Sequence, residues 1–233
     1  MMRLDRFLSE KTELSRKELK AAVKCGRAHV NGAAVNDPEM KIDPEKDVVA
    51  FDGHELTYRS SVTVMLNKPA GVLTAARDSK QKTVLDLLPR ELVREGAMPA
   101  GRLDKDTTGL LIITSDGDLA HRIISPRQHI KKLYLAETEL PVTGEDVEAF
   151  RAGLVLADGL RCLPAELEPL AGRQCLVTVY EGKYHQVKRM LASRGKRVTA
   201  LKRLSIGSLT LPEDLPEGSF VELSQKEIDK IFS

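Results

Sequence analysis

The 233-residue sequence is poor in aromatic side chains and in cysteine: it has no tryptophan, four tyrosines, five phenylalanines and three cysteines. Cys25, Cys162 and Cys175 are odd in number, lie far apart and form no C-x-x-C pair. This pattern argues against a disulfide framework and against a zinc site, and it indicates a reducing compartment.

Long apolar runs are also missing. No run approaches the ~20 residues that a membrane-spanning helix requires, and the N-terminal segment MMRLDRFLSE lacks an apolar signal core. The G-x-G-x-x-G and Walker loops that cradle nucleotide phosphates are absent as well. We therefore predict a cytoplasmic protein that has no contact with a membrane and no nucleotide cofactor.

The hydrophobic content of 42% is enough for a core of one or two domains, and the net charge is only +2. The cations are unevenly distributed, however. Residues 1–32 hold eight Lys/Arg and four Asp/Glu, residues 182–208 hold eight cations and no acid, and residues 119–136 hold four cations and no acid. Such segments favour a polyanionic partner, because phosphates neutralised by cations release their counterions. An ordinary solvated surface is the alternative.

Four aspartates are concentrated between Pro99 and Pro126, in turns on either side of a short apolar run. The run, residues 110–113, has the length and composition of a buried strand. Asp104 is therefore expected on a loop beside a strand, where a rigid scaffold can aim its carboxylate. Arg102 precedes it by two residues and adds a cation to the same turn.

The other aspartates of this stretch, Asp106, Asp116 and Asp118, are interpreted as turn formers or helix caps. Asp118 is predicted to cap a helix over residues 119–124, which ends before Pro126.

Calcium binding is an alternative for this stretch, because Asp104, Asp106 and Gly109 imitate the beginning of a calcium loop, D-x-D-x-x-G. The match fails at the twelfth position, which is Ser115 and not glutamate. We therefore predict no metal site.

The N-terminal segment predicts two helices followed by a hairpin. A short apolar helix is expected around residues 4–9, and Ser15 and Glu18 form a capping box at the start of a second helix. That helix buries a stripe of apolar side chains: Leu19, Ala22 and Val23. Asn31-Gly32 predicts a tight hairpin turn with positive φ. Two more strands, residues 48–51 and 55–58, and a polar joint at 59–61 complete this part.

The remainder of the chain mixes strands and helices without the regular alternation of a parallel α/β fold. Strands are expected at residues 62–66, 134–138, 174–180 and 208–211, and helices at 144–153 and 184–193. We therefore predict an α+β protein with a small N-terminal domain, residues 1–60, and a larger domain, residues 61–233. The larger domain should contain a central antiparallel or mixed β-sheet flanked by helices.

Three sequence blocks carry a resemblance to a known family: LNKPAGVL at 66–73, GRLDKDTTGLL at 101–111 and EGKYHQVKRM at 181–190. In this order they resemble the pseudouridine synthases of ribosomal RNA, and with the N-terminal segment they cover essentially the whole chain. Within that family the chain looks like the small-subunit, RsuA-type enzymes that modify 16S rRNA. Residues 1–60 resemble the αL RNA-binding motif of a ribosomal protein, with a generic helical adapter as the alternative.

The resemblance implies an isomerase that needs no cofactor. It assigns Asp104 the role of nucleophile or base, and the sequence leaves both mechanisms open. Because burial disfavours an ionised carboxylate, a cation must offset it. Lys188 matches the basic partner of the family, with Arg189 as the alternative register. Tyr134, in KKLYLAE, matches the active-site tyrosine, whose ring can stack on uracil.

Further residues are expected to bind the RNA or to support the site. Arg102 matches a position that reaches into the space left by a flipped uridine. His185 and Arg189 are predicted on the same helical face as Lys188, and Lys68 with Pro69 is interpreted as structural support. The N-terminal cations predicted to contact RNA phosphates are Arg3, Arg6, Arg16, Lys17, Lys20, Lys24 and Arg27.

The predicted partner is ribosomal RNA of the small subunit, either naked or in an assembling particle, and the protein is expected to act as a monomer. Three alternatives remain open at this point. They are a 23S rRNA uridine as the substrate, a ribosome-binding protein without catalysis, and a metal-dependent phosphoesterase.

Overall fold

The computed structural model describes residues 1–56, 61–94 and 96–233. The chain forms two compact units, one from Met1–Val62 with Arg90–Glu95 and the other from Thr63–Pro89 with Gly96–Ser233. Residues 57–60, which include the end of one expected strand and most of the expected joint, lie outside the described residues. Across the described ranges, the helices are too short or too polar to cross a membrane.

The first unit combines short helices with a small antiparallel sheet. Its elements are β1 (Met2–Arg3), α1 (Leu4–Lys11), α2 (Arg16–Lys24), β2 (Ala28–Val30), β3 (Ala33–Val35), β4 (Lys41–Ile42), β5 (Val49–Phe51), β6 (His54–Leu56) and α3 (Arg90–Arg94). The sheet has the order β3-β2-β5-β6, and β1 pairs separately with β4.

Local signals explain the first unit well. The predicted capping box is confirmed: Ser15 Oγ accepts from the Glu18 N–H, and the Glu18 carboxylate accepts from the Ser15 N–H. The predicted hairpin turn is confirmed as well, because Asn31 and Gly32 have φ of 51° and 80°. The predicted apolar stripe of α2 is buried in a core with side chains of α1, β2 and β5.

The second unit is built on a larger sheet. Its elements are β7 (Thr63–Lys68), β8 (Met98–Pro99), β9 (Thr108–Thr114), α4 (Gly117–Ile124), β10 (Lys132–Thr138), α5 (Gly144–Ala152), β11 (Glu166–Pro169), β12 (Gln174–Val179), α6 (Gln186–Ser193), β13 (Val198–Ile206), β14 (Leu209–Thr210), β15 (Phe220–Glu222) and α7 (Gln225–Asp229). The sheet order is β11-β12-β10-β13-β9-β7-β15, with β14 on β13 and β8 on β9. The β13–β9 pair is parallel and the other pairs of this sheet are antiparallel, so the predicted mixed sheet is confirmed.

Strand β9 lies inside the sheet and is buried on both faces. Leu110 and Ile112 share a core with Leu119 and Ile123 of α4, while Leu111, on the other face, is also fully buried. Apolar side chains on both faces explain the continuous hydrophobic run of this strand, since alternation is expected only where one face is solvated. The loop that carries Asp104 leads directly into β9 and is therefore fixed to the centre of the sheet.

Two local predictions differ from the structure, and one strand was not predicted. Asp116, not Asp118, caps α4, because its carboxylate accepts the Leu119 N–H at 2.9 Å. Helix α6 begins at Gln186 rather than at 184, since His185 has φ of 48° and stands outside the helix. Strand β13 was not predicted, because its sequence, VTALKRLSI, interrupts the apolar pattern with two cations.

Candidate active site

Two basic side chains converge on the Asp104 carboxylate in the second unit. Lys188 Nζ on α6 lies 3.1 Å from Asp104 Oδ2, and His185 Nε2 lies 3.3 Å from Oδ1. The Asp104 side chain is 23% exposed, which leaves it reachable from solvent. The two oxygens of the Asp104 carboxylate thus contact two side chains, His185 and Lys188, that lie three residues apart in the sequence.

Asp106 also contacts Lys188, at 2.5 Å through Oδ1, so one ammonium group bridges two carboxylates. The hydrogen bond from Lys188 lowers the pKa of Asp106 below its usual range. Burial lowers the pKa of Lys188, but the hydrogen bonds and charges of Asp106 and Asp104 outweigh it and raise the pKa. Lys188 therefore stays charged, and Asp106 is more than the turn former expected from the sequence.

Lys68 fixes the backbone of the loop that carries Asp104. Its side chain is fully buried, and Nζ donates to the carbonyl oxygens of Pro69, Asp104, Lys105 and Thr107 at 2.9–3.2 Å. Burial lowers the pKa of Lys68 to about 8, although the nearby charges of Asp106 and Asp104 act in the opposite direction. An ammonium group with four carbonyl partners holds the loop in one conformation.

Tyr134 lies in a lateral row that crosses four neighbouring strands. In this row Tyr134 of β10 pairs with Arg203 of β13, Arg203 with Gly109 of β9, and Gly109 with Lys68 of β7. Arg203 is buried; its Nε donates to the Leu110 carbonyl at 2.7 Å and its Nη1 donates to the Tyr134 hydroxyl at 3.5 Å. The tyrosine and the lysine that holds the Asp104 loop therefore occupy opposite ends of one row.

The chain leading into α6 is held by a buried network of polar side chains. Glu181 Oε1 accepts from Gln186 Nε2 at 2.7 Å and from the Leu163 N–H at 3.0 Å, while Gln186 Oε1 accepts from the Lys183 N–H at 3.0 Å. The backbone of His185 is in the left-handed region, with φ of 48°, which is uncommon for a residue other than glycine. This turn aims His185 and Lys188 at Asp104.

A family model described as RNA pseudouridylate synthase matches residues 62–193. The chain belongs to the RNA pseudouridine synthase family. It is 41% identical over 231 residues to the uncharacterized RNA pseudouridine synthase YtzG of Bacillus subtilis, with 97% of each chain covered. It is 40% identical over 232 residues to the ribosomal small subunit pseudouridine synthase A of Escherichia coli K12, covering 99% of this chain and 100% of that protein. A crystal structure of a pseudouridylate synthase is 36% identical, with a TM-score of 0.70 and coverage of 99% and 100%.

The synthase brings some of the predicted site residues together and separates others. Asp104, Lys188 and His185 converge, whereas Arg189 forms an ion pair with Asp158 at 2.5 Å. Tyr134 is 9% exposed, and its hydroxyl contacts Arg203 rather than the Asp104 carboxylate. Arg102 is exposed and has no ion-pair partner among the described residues, so its charge is available beside Asp104.

The predicted RNA-binding cations of the first unit fall into two groups. Four already contact acids: Arg3 with Asp5 and Glu39, Arg6 with Glu10, Lys20 with Glu39, and Arg27 with Asp52. The others, Arg16, Lys17 and Lys24 of α2, are exposed and have no ion-pair partner within the described ranges. Among the seven cations predicted to contact RNA, these three are the ones most open to a phosphate.

Sequence reasoning missed Arg203 and Tyr184, and it assigned no site role to Asp106. Arg203 lies outside the three recognised blocks, in a strand that was not predicted, and no local signal relates it to Tyr134. Tyr184 lies inside the third block, directly before His185, but only the structure shows that the two rings stack. Among the residues described, no group of three His, Cys, Asp or Glu side chains is arranged to hold a metal ion.

Proposed function

We propose that this synthase converts a uridine of 16S ribosomal RNA to pseudouridine at Asp104, without a cofactor. The observation that carries the proposal is the contact of the Asp104 carboxylate with both Lys188 and His185, on a loop that Lys68 holds in place. The small-subunit target is supported by the full-length similarity, near 40% identity, to synthases named for the ribosomal small subunit.

The reaction breaks the bond between ribose C1′ and uracil N1 and rejoins the ribose to C5. The base rotates between the two steps, C5 loses a proton, and N1 gains one, so that no oxidant, reductant or energy source is consumed. An ionised carboxylate can serve either by attacking C1′ or by removing a proton next to it. In both cases Lys188 supplies a positive charge 3.1 Å from the carboxylate that reacts.

Tyr134 and Arg102 receive supporting roles in this proposal. The Tyr134 ring is suited to pack against uracil, and its hydroxyl, fixed by Arg203, is suited to assist the transfer of the C5 proton. Arg102 is suited to occupy the space that the flipped uridine leaves in the RNA, since a guanidinium plane recovers part of the stacking energy of the departed base. Both roles require the uridine to leave its helix before the reaction.

The test is release of tritium from RNA labelled at uridine C5. Transcripts of 16S and 23S rRNA should be compared with and without EDTA, and we expect release from 16S rRNA that chelation leaves unchanged. Release from 23S rRNA alone would assign the enzyme to the large subunit. Loss of activity with EDTA would instead support metal-assisted chemistry.

The Asp104→Asn variant should keep its fold and its affinity for RNA but lose turnover, because an amide is neither a nucleophile nor a base. Asp118→Asn is the matched control: Asp118 is exposed on α4 and does not cap that helix. Asp106→Asn is unsuitable as a control because Asp106 shares Lys188 with Asp104. Turnover by Asp104→Asn at the wild-type rate would refute the assignment.

The proposal also covers the compartment, the oligomeric state of the enzyme and the form of its RNA substrate. We expect a cytoplasmic monomer that acts on small-subunit rRNA, and the physical form of the RNA should matter. Tritium release from naked 16S transcripts and from partially assembled small-subunit particles, measured side by side, identifies the form that is modified faster.

A further inference from the structure

Tyr184 is an exposed aromatic residue at the edge of the candidate active site. It is 75% exposed, and its ring stacks on the His185 imidazole with centroids 3.9 Å apart and an interplanar angle of 18°. One face of the tyrosine is therefore covered by His185, while the high exposure leaves the other face accessible. His185 in turn contacts Asp104, so the imidazole ring lies between Tyr184 and the carboxylate proposed to react.

The backbone that leads into Tyr184 and His185 is held by contacts of Lys183. Lys183, immediately before Tyr184, donates its N–H to Gln186, and its Nζ contacts Glu181 at 2.8 Å and also donates to the Arg161 carbonyl. Glu181 and Gln186 are themselves buried and bonded to each other. An aromatic surface held in advance in this way loses little conformational entropy when a ligand stacks on it.

The charge around the pair favours an anionic polymer as that ligand. Lys183 flanks Tyr184 directly, with its Nζ on Glu181. Arg102, two residues before Asp104, is exposed and has no ion-pair partner among the described residues. A flat aromatic face beside cations is the arrangement by which proteins hold single-stranded nucleic acid, with bases stacked on rings and phosphates near the cations.

We propose that Tyr184 and His185 form a stacking platform for the unpaired base of a nucleotide next to the target uridine. The uridine itself must reach Asp104, whereas Tyr184 lies beyond His185, where a neighbouring nucleotide would follow. The platform would select RNA in which that neighbour is unpaired. This inference rests on the proposed reaction at Asp104.

The platform is tested by a double-mutant cycle between protein and RNA. The protein arms are wild type, Tyr184→Ala and Tyr184→Phe. The RNA arms are a short substrate containing the uridine that releases tritium, and the same substrate with an abasic nucleotide at its 5′ or its 3′ neighbour. KM and kcat are measured for each combination, and Kd is measured in the inactive Asp104→Asn background.

We expect Tyr184→Ala to raise KM and Kd by about 10-fold with kcat unchanged, and Tyr184→Phe to behave as wild type, because stacking needs only the ring. With an abasic nucleotide at one of the two neighbours, wild type and Tyr184→Ala should become equal, since the base that stacks is gone. Leu140→Ala, which removes an exposed apolar side chain beyond the end of β10, should leave KM unchanged.

Other outcomes would overturn the platform. An equal loss on intact and on abasic substrates would show that Tyr184 does not bind a base, and an unchanged KM would show that it binds nothing in this RNA. A fall in kcat at constant KM would make Tyr184 a positioning residue for His185. Turnover by Asp104→Asn would refute the proposed reaction and is scored separately from these results.

Discussion

Lys188 bridges two carboxylates with one ammonium group, because its Nζ contacts both Asp104 and Asp106. We expect Lys188→Met to lower kcat by about 100-fold, since in the proposed reaction it removes a preorganised charge at the reacting carboxylate. KM should change little. Tritium release under saturating RNA measures the first quantity, and its dependence on RNA concentration measures the second.

Arg189→Met is the matched control for that variant, because Arg189 is the adjacent cation of α6 and contacts Asp158 instead. Its kcat should stay well above that of Lys188→Met. If Arg189→Met were the more damaging change, the alternative register considered for this block would be correct and Lys188 would have another role.

Lys68 gives the enzyme a predicted alkaline limit. Its pKa is lowered to about 8, mainly by burial, so raising the pH above 8 removes the charge that binds the carbonyl groups of the Asp104 loop. We expect kcat to fall with an apparent pKa near 8. Lys132 is a natural control, since burial also lowers its pKa to about 8 and its Nζ bonds to the Ile130 carbonyl instead.

Lys68 and Lys132 should both affect the pH dependence of stability, but only Lys68 should affect the pH dependence of kcat. Each lysine has a pKa in the folded protein below the ordinary value of 10.5. Between pH 8 and 10.5 the unfolded chain therefore binds more protons than the folded protein. The free energy of unfolding rises with pH in this range as a result. Lys132→Met should reduce that rise by about 1 kcal/mol per pH unit in urea titrations and still show the fall of kcat above pH 8. A Lys132→Met enzyme without that fall would show that Lys68 does not set the limit.

At the scale of elements, Gly109 allows β9 and β13 to approach each other. Its φ is +97°, and a Cβ at this position would lie 2.3 Å from the Arg203 carbonyl oxygen. We expect Gly109→Ala to lower the free energy of unfolding by more than about 3 kcal/mol, because both the backbone conformation and the strand pairing would be strained. Urea titration measures the decrease.

Gly117→Ala is the corresponding control at the first position of α4. An added Cβ there meets no atom within 4 Å, and the backbone has no positive φ in the left-handed region. Alanine is also a better helix former than glycine, so this variant should be at least as stable as wild type. Equal destabilisation of the two variants would mean that the approach at Gly109 has no special importance.

Elements whose signals are local were predictable from the sequence. Ser15 and Glu18 are three residues apart, and Asn31-Gly32 sets its own turn, so neither requires knowledge of the rest of the chain. The buried run of β9 and the apolar face of α6 are recognisable for the same reason. The three blocks with their family resemblance predict Lys188 as the partner of Asp104, with Arg189 as the alternative, and the structure shows the contact with Lys188.

Features that depend on distant parts of the chain were not predictable. Strand β13 contains Arg203, a buried cation whose acceptors are the Leu110 carbonyl and the Tyr134 hydroxyl, and sequence pattern alone assigns such a cation to the surface. Asp106 was interpreted by its turn, because its partner, Lys188, is 82 residues away. Asp116 and Asp118 are equivalent as candidate caps until the backbone of the turn is known.

At the scale of the whole molecule, the first unit supplies cations whose contribution to RNA binding can be measured. The combined variant Arg16→Gln, Lys17→Gln, Lys24→Gln should bind rRNA more weakly and with a shallower salt dependence. The log–log slope should decrease by about 0.7 to 0.9 for each phosphate that the variant no longer neutralises. A phosphate contact made equally in the ground and transition states mainly sets KM, so KM should rise while kcat is retained.

Lys46→Gln is the control for that variant, since Lys46 belongs to the same unit but forms an ion pair with Asp43. Its salt dependence should match wild type. Deleting residues 1–60 would be a less informative experiment, because Arg90–Glu95 belong to the first unit and would be left without their packing partners. A triple variant with wild-type affinity and abolished turnover would contradict the binding role.

The parallel pairing of β13 with β9 also bears on the order in which the sheet can fold. Strand β13 lies between β9 and β10 in the sheet. On one side are β9, which follows the Asp104 loop, and β7, which carries Lys68; on the other are β10, which carries Tyr134, and β12. The Arg203–Leu110 bond of this junction spans 93 residues of chain. Contacts so distant in sequence form slowly and late. Strands on the two sides of β13 can therefore pair among themselves early in folding, but the row that joins Tyr134 to Lys68 is complete only after β13 has inserted between them.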